Sequence, residues 1–207
     1  MVDDRALNEF VHAIASGDAH LTLRMLEATP QLAVASVVRG ATRDEARNHF
    51  LDDCGVYLYA GHTALHVAAA AYDVAFARTL LDAGADVRAR NRRGAEPLHE
   101  AARGGPGSVG WDPARQSEMV SFLVSVGADP NAVAAGGVTP LHRAVRNRCS
   151  SAVRALLISG ADPRRPNDKG STPIMLTRWT TGRGGSGSPE AKAEQREIVS
   201  LLTAALA

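Results

Sequence analysis

The chain has little lysine, little cysteine, no long apolar run and almost no net charge. Each shortage narrows its chemistry. Of 207 residues only Lys169 and Lys192 are lysine, so the positive charge is nearly all arginine. Arginine pairs with carboxylates in a bidentate fashion that lysine does not match. The formal net charge is +1, which argues against a general nucleic-acid binder, because such proteins show a strongly basic face. The two cysteines, Cys54 and Cys149, lie far apart and suggest neither a disulfide framework nor a metal-ligand spacing. No stretch approaches the roughly 20 apolar residues of a membrane span. The start, MVDDRALNEF, is acidic where a signal peptide would be basic. The expectation is a soluble, cytoplasmic chain with reduced thiols and no membrane contact.

What is present is a repeated unit. Its most regular copy is GVTPLHRAVRNRCSSAVRALLISGAD, Gly137 to Asp162. Thr139 suits a helix N-cap, accepting a backbone N–H. Pro140 suits the first helical position, where a missing N–H costs nothing. Leu141, Ala144 and Val145 fall at i, i+3 and i+4, one face of a short helix. Ala152, Val153, Leu156 and Leu157 repeat that spacing in a second helix, which Gly160 can close in the left-handed conformation. Neither helix is long enough to be stable alone, so each unit needs neighbours.

Related units open at Gly61, Gly94 and Gly170, giving spacings of 33, 43 and 33 residues. Their heads read Thr63-Ala64-Leu65-His66, Glu96-Pro97-Leu98-His99 and Thr139-Pro140-Leu141-His142. Their second helices end in Gly84-Ala85-Asp86, Gly127-Ala128-Asp129 and Gly160-Ala161-Asp162. On these motifs the chain resembles the ankyrin-repeat family over nearly its whole length. The resemblance implies an all-α solenoid of about five repeats, with stacked helix-turn-helix units joined by β-turn fingers. Residues 1–207 then form one domain. It comprises a degenerate N-terminal repeat at 1–39, an insertion at 40–60, full repeats at 61–93, 94–136 and 137–169, and a C-terminal capping repeat at 170–207.

The interruptions stand out against the repeat. Arg43 to Asp53 reads as helical, with Ala46, Phe50 and Leu51 as its apolar stripe, and Gly55 to Ala60 reads as extended. The segment is too apolar for a linker and should fold back on the stack, either covering or extending its binding face. The second unit carries ten extra residues after Ala102, and the fourth about twelve between Thr177 and Ile198. Each includes a similar glycine-rich string, RGGPGS at 103–108 and RGGSGS at 183–188, near Trp111 and Trp179 respectively. Both strings should flank Arg146-Asn147-Arg148.

Candidate functional residues follow from this frame. Repeated positions in a solenoid sit roughly 10 Å apart, as packed helices do. His66, His99 and His142 therefore cannot converge on a metal, and each is expected to bond backbone or threonine hydroxyls across a repeat interface. Cys149 follows the cationic Arg148 but has no histidine near it in sequence, and a surface or half-buried thiol is expected. No nucleophile stands beside a plausible base, so neither an enzyme nor a cofactor is indicated.

The resemblance implies a concave surface built from the fingers and first helices. Exposed positions expected there are His62, Val67, Arg88, Arg90, Arg92, Glu100, Arg143 and Arg165, joined by Tyr57 and Tyr59 from the insertion. The expected function is a monomeric, non-enzymatic protein-interaction module binding a protein partner, one with an acidic segment, and not nucleic acid. The alternative is a sensor of small ligands or anions that uses Arg103, Gly105, Arg183, Gly185 and Ser188 of the paired glycine loops.

Overall fold

The computed structural model describes residues 3–42, 44–178 and 188–207. Its helices begin where the sequence supplies caps. Asp3 caps α1 (Asp4–Ser16), and Gly17, at φ 74, closes it. Asp18 then caps α2 (Ala19–Ala28). The following pairs are α3 (Ala64–Ala70) with α4 (Val74–Asp82), and α5 (Pro97–Ala101) with α6 (Pro113–Ser125). Next come α7 (Pro140–Asn147) with α8 (Ser150–Ile158), and α9 (Pro173–Leu176) with α10 (Pro189–Leu206). Pro97, Pro140, Pro173 and Pro189 all stand in a first turn, where proline is harmless. Among the described residues, no helix is long and apolar enough to cross a membrane.

These pairs stack. One layer runs α1, α3, α5, α7, α9, each against the next, and α4, α6, α8 and α10 form the second layer. Close approach within the first layer needs small side chains. Ala68, Ala69, Ala101, Ala102 and Ala144 sit at those contacts with no exposed surface. Leu65, Leu98, Leu141 and Leu156 fill the continuous core. At one end Phe10 meets Phe76 edge-on, ring centroids 5.9 Å apart.

The insertion departs from the expected helix. Among the described residues 44–53 only a single 3-10 turn forms, Ala46–His49, followed by β1 (Phe50–Leu51), which pairs antiparallel with β2 (Val56–Tyr57). Arg43 lies outside the described residues. The period-two pattern wins here. Leu51, Val56 and Leu58 are buried, while the helical stripe would have needed Ala46 and Phe50 buried with Leu51. Phe50 packs instead on Tyr57 across the hairpin, centroids 4.6 Å apart. The extended reading of 55–60 agrees with β2.

The hairpin is stitched to the stack by its backbone. Val37 N–H donates to His62 O at 2.8 Å, Ala41 N–H to Leu58 O at 2.6 Å, and Arg92 N–H to Ala60 O at 2.7 Å. Gly40 is where this becomes tight, because a Cβ there would lie 2.5 Å from Leu58 O and Ala60 N. The insertion therefore forms a strap that covers part of the stack rather than lengthening it.

Candidate functional site

The recurring histidines are interface pins. In His66 the Nδ1 accepts from Thr63 N–H at 3.1 Å, so Nε2 carries the proton and donates to Ala95 O at 3.0 Å in the next unit. His99 repeats this with Glu96 N–H (3.2 Å) and Val138 O (3.1 Å), and His142 with Thr139 N–H (3.3 Å) and Ser171 O (3.0 Å). Burial pushes the His66 imidazole down to about 3 and His99 to about 4, and lowers His142 as well. They are neutral, structural imidazoles.

Three positions expected on the exposed face are buried. Val67 has no exposed surface, His62 is 1% exposed and Glu100 2%. Val67 belongs to the hydrophobic core, and the strap accounts for the other two. Arg103 reaches from α5's end to the strap, its Nη2 donating to Gly55 O at 3.0 Å. The same guanidinium lies 3.4 Å from Glu100 Oε2, Arg143 Nη1 is 2.9 Å from Glu100 Oε1, and His62 Nε2 is 3.8 Å from that oxygen. Burial alone would raise the Glu100 carboxyl, but Arg143, then Arg103, hold it well below the usual carboxylate range. Burial lowers His62 too, so the imidazole is a neutral neighbour at pH 7.

The finger arginines are exposed as expected, yet they are engaged within the chain. Arg88 donates to Gly127 O at 3.0 Å, Arg90 pairs with Glu96 at 3.0 Å, and Arg165 reaches Asn131 O at 3.4 Å. Arg92 donates to Ala41 O and stands over the ring of Tyr59, which Arg93 also faces, at 4.7 Å from its centroid. Tyr57 and Tyr59 are half-buried strap residues.

The first glycine loop is a packed structure. Gly105 lies so close to the carbonyl of Asn147 that a Cβ would strike it, which places the loop beside Arg146–Arg148 as the sequence suggested. The buried Gln116 organises the loop. Its Nε2 donates to Ala101 O at 3.0 Å, and its Oε1 accepts from Trp111 Nε1 at 3.0 Å; Tyr72 OH donates to Arg103 O at 2.6 Å. Arg103 is turned to Glu100 and Gly55. Arg183, Gly185 and Trp179 lie outside the described residues. Ser188 caps α10, its Oγ accepting Ala191 N–H at 3.1 Å. Cys149 corrects the expected accessible thiol. It is fully buried, with its Sγ on Gly104 O, and burial pushes the thiol up to about 12.

Beyond the strap the inner face opens. A cavity of about 390 Å³ lies between the fingers and α7, lined among the described residues by Arg93, His142, Arg143, Arg146, Asn167 and Leu176, with the finger backbone at 134–136. A second, of about 300 Å³, shares Arg146, Asn167 and Leu176 and adds Val145, Lys169 and Ile198. No carboxylate is among the described residues lining either cavity. Arg93, Arg146 and Lys169 were missed by sequence reasoning. Only their places on these two adjoining cavities single them out.

A family model described as ankyrin repeats in three copies matches residues 12–132 and 114–167. The chain belongs to the ankyrin-repeat family. Ankyrin repeats are in general protein–protein interaction modules. Among curated relatives, the Mus musculus ankyrin repeat and SOCS box protein 16 is 40% identical over 115 residues, covering 54% of this chain and 24% of that protein. The Mus musculus B-cell lymphoma 3 protein homolog is 34% identical over 127 residues, 61% of this chain and 26% of that one. A putative ankyrin repeat protein of Rickettsia bellii (strain RML369-C) is 28% identical over 120 residues, 58% of this chain and 61% of that one. The chain thus spans about a quarter of the mouse relatives' length. The likeness is to their repeats.

Proposed function

We propose that this ankyrin stack is a non-enzymatic module that takes a protein partner in the open part of its inner face, over α7 and α9, and that the contacting segment is acidic. One observation carries the reading. The two adjoining cavities present Arg93, Arg143, Arg146 and Lys169 with no carboxylate among their described lining residues. Beside them, the inner face over α3 and α5 is taken up by the strap and the buried Glu100 cluster. Complementary charge of this kind favours acidic partners and speeds encounter. Of the residues expected from sequence, Arg143 belongs to this surface. Arg88, Arg90, Arg92 and Arg165 form a basic rim along the fingers, and Tyr57 and Tyr59 belong to the strap beside it.

The test is site-directed photo-crosslinking in cell lysate. A photoreactive residue replacing Arg146 should capture a discrete partner, and excess unlabelled protein should compete it away. The same probe replacing Ile158, 82% exposed on the outer helix α8, should capture little. Capture from position 158 with none from 146 would place the binding surface elsewhere.

A further inference from the structure

The basic hollow also exposes an apolar side chain, and that adds to what charge says about its occupant. α9 is a single turn ending at Leu176, whereas its neighbour α7 runs eight residues to Asn147. The hollow beside this short helix is the cavity of about 300 Å³, where Val145, Leu176 and Ile198 line it together with the polar Thr177 and Gln195. Of the three cations lining it, Arg146 and Lys169 are exposed and Arg148 is 4% exposed, as deep as Val145 at 4%, while Leu176 is half-buried and Ile198 is 1% exposed. The accessible charge therefore lies at the rim, and the apolar side chain that remains open to the hollow is Leu176. A purely acidic segment would satisfy the rim and leave the half-buried Leu176 facing water. A segment with an apolar side chain between its carboxylates would satisfy both, and desolvating the hollow also strengthens the rim pairs.

We infer that the occupant is a peptide segment in which acidic residues flank an apolar one, the apolar side chain seated against Leu176 and the carboxylates on Arg146 and Lys169. This rests on the acidic-partner reading above and adds the apolar anchor to it. Arg143 takes a smaller part, because Glu100 already holds it at 2.9 Å.

Three fluorescein-labelled 12-residue peptides test this by fluorescence anisotropy, with alternating Glu-Leu, Glu-Ser and Lys-Leu sequences. The Glu-Leu peptide should bind about tenfold more tightly than Glu-Ser, equal to about 1.4 kcal/mol, and Lys-Leu should not bind measurably. Leu176→Ser should remove the Glu-Leu advantage and leave Glu-Ser binding unchanged. Arg146→Glu should weaken both acidic peptides. Equal affinity for Glu-Leu and Glu-Ser would overturn the anchor and leave the acidic-partner reading standing. Failure of both acidic peptides to bind would overturn the two together. Tight Glu-Leu binding untouched by either variant would place the peptide at another surface and overturn the anchor. The wild-type comparison decides the matter even if Leu176→Ser lowers stability.

Discussion

Glu100 is a carboxylate with 2% of its surface exposed and two guanidinium groups against it. An ionised carboxylate is costly to bury unless paired and hydrogen-bonded. Arg143 and Arg103 meet that requirement from opposite sides, and Arg103 also fastens the strap through Gly55 O. Glu100→Gln keeps the shape and removes the charge, leaving two arginines facing a neutral amide. Breaking a fully buried pair costs about 3–5 kcal/mol. Arg143 and Arg103 keep 21% and 29% of their side-chain exposure, so water recovers part of this and the expected loss is about 2–3 kcal/mol. Urea denaturation measures it. Arg143→Met should cost less, because Arg103 still faces the carboxylate. The reverse order would mean that Arg143, not Glu100, anchors the cluster.

At the scale of elements, what was legible is what acts locally. Caps such as Thr139, prolines in first turns and glycines closing second helices each work over four or five residues, so a period of 33 residues, lengthened once to 43, exposed the repeats from Gly61 onward. The strap was misread because its structure depends on pairing at a distance. A helical stripe and an alternating strand both fit residues 43–53 until Leu58 is seen seated in the core and Phe50 against Tyr57. The burial of Glu100 and His62 was illegible for the same reason, since it exists only once the strap lies over them. Two substitutions test this account. Leu58→Ala, at a site 1% exposed, should cost about 2–5 kcal/mol. Hydrogen exchange should rise first at Ala41 and Leu58, whose amides stitch the strap, and least in α7. An even rise over all helices would show that the strap is no separate unit. Gly105→Ala should displace the 103–112 loop from the Asn147 carbonyl and cost about 1–3 kcal/mol, as overpacking does. Its readouts are the melting temperature and the fluorescence of Trp111, whose indole ties that loop to Gln116 of α6.

At the scale of the whole molecule, each interface from the second described helix pair onward is pinned by one neutral imidazole, at His66, His99 and His142, with His62 under the strap. All four titrate below the ordinary histidine value of about 6.5, with His66 near 3 and His99 near 4. As pH falls through 6.5 the unfolded chain takes up protons that the folded chain refuses, so protonation favours unfolding and stability declines. Glu100 acts in the same direction in a lower window. Its folded carboxyl stays ionised below the point where the unfolded one protonates, so its contribution is lost only as pH drops below about 4.5. Glu96 opposes both, because burial raises its carboxyl and the folded form gains protons first. Between pH 6.5 and 5 the four imidazoles should dominate. The urea midpoint at constant ionic strength should be highest near neutrality and fall steadily across that window, before most carboxylates titrate. A midpoint that stays level or rises from pH 6.5 to 5 would mean the imidazoles carry protons in the folded chain. The Nε2–H to carbonyl bonds could survive that, but the bonds from Thr63, Glu96 and Thr139 N–H to Nδ1 could not. The same titration therefore tests the tautomer assigned to each histidine that joins one repeat to the next.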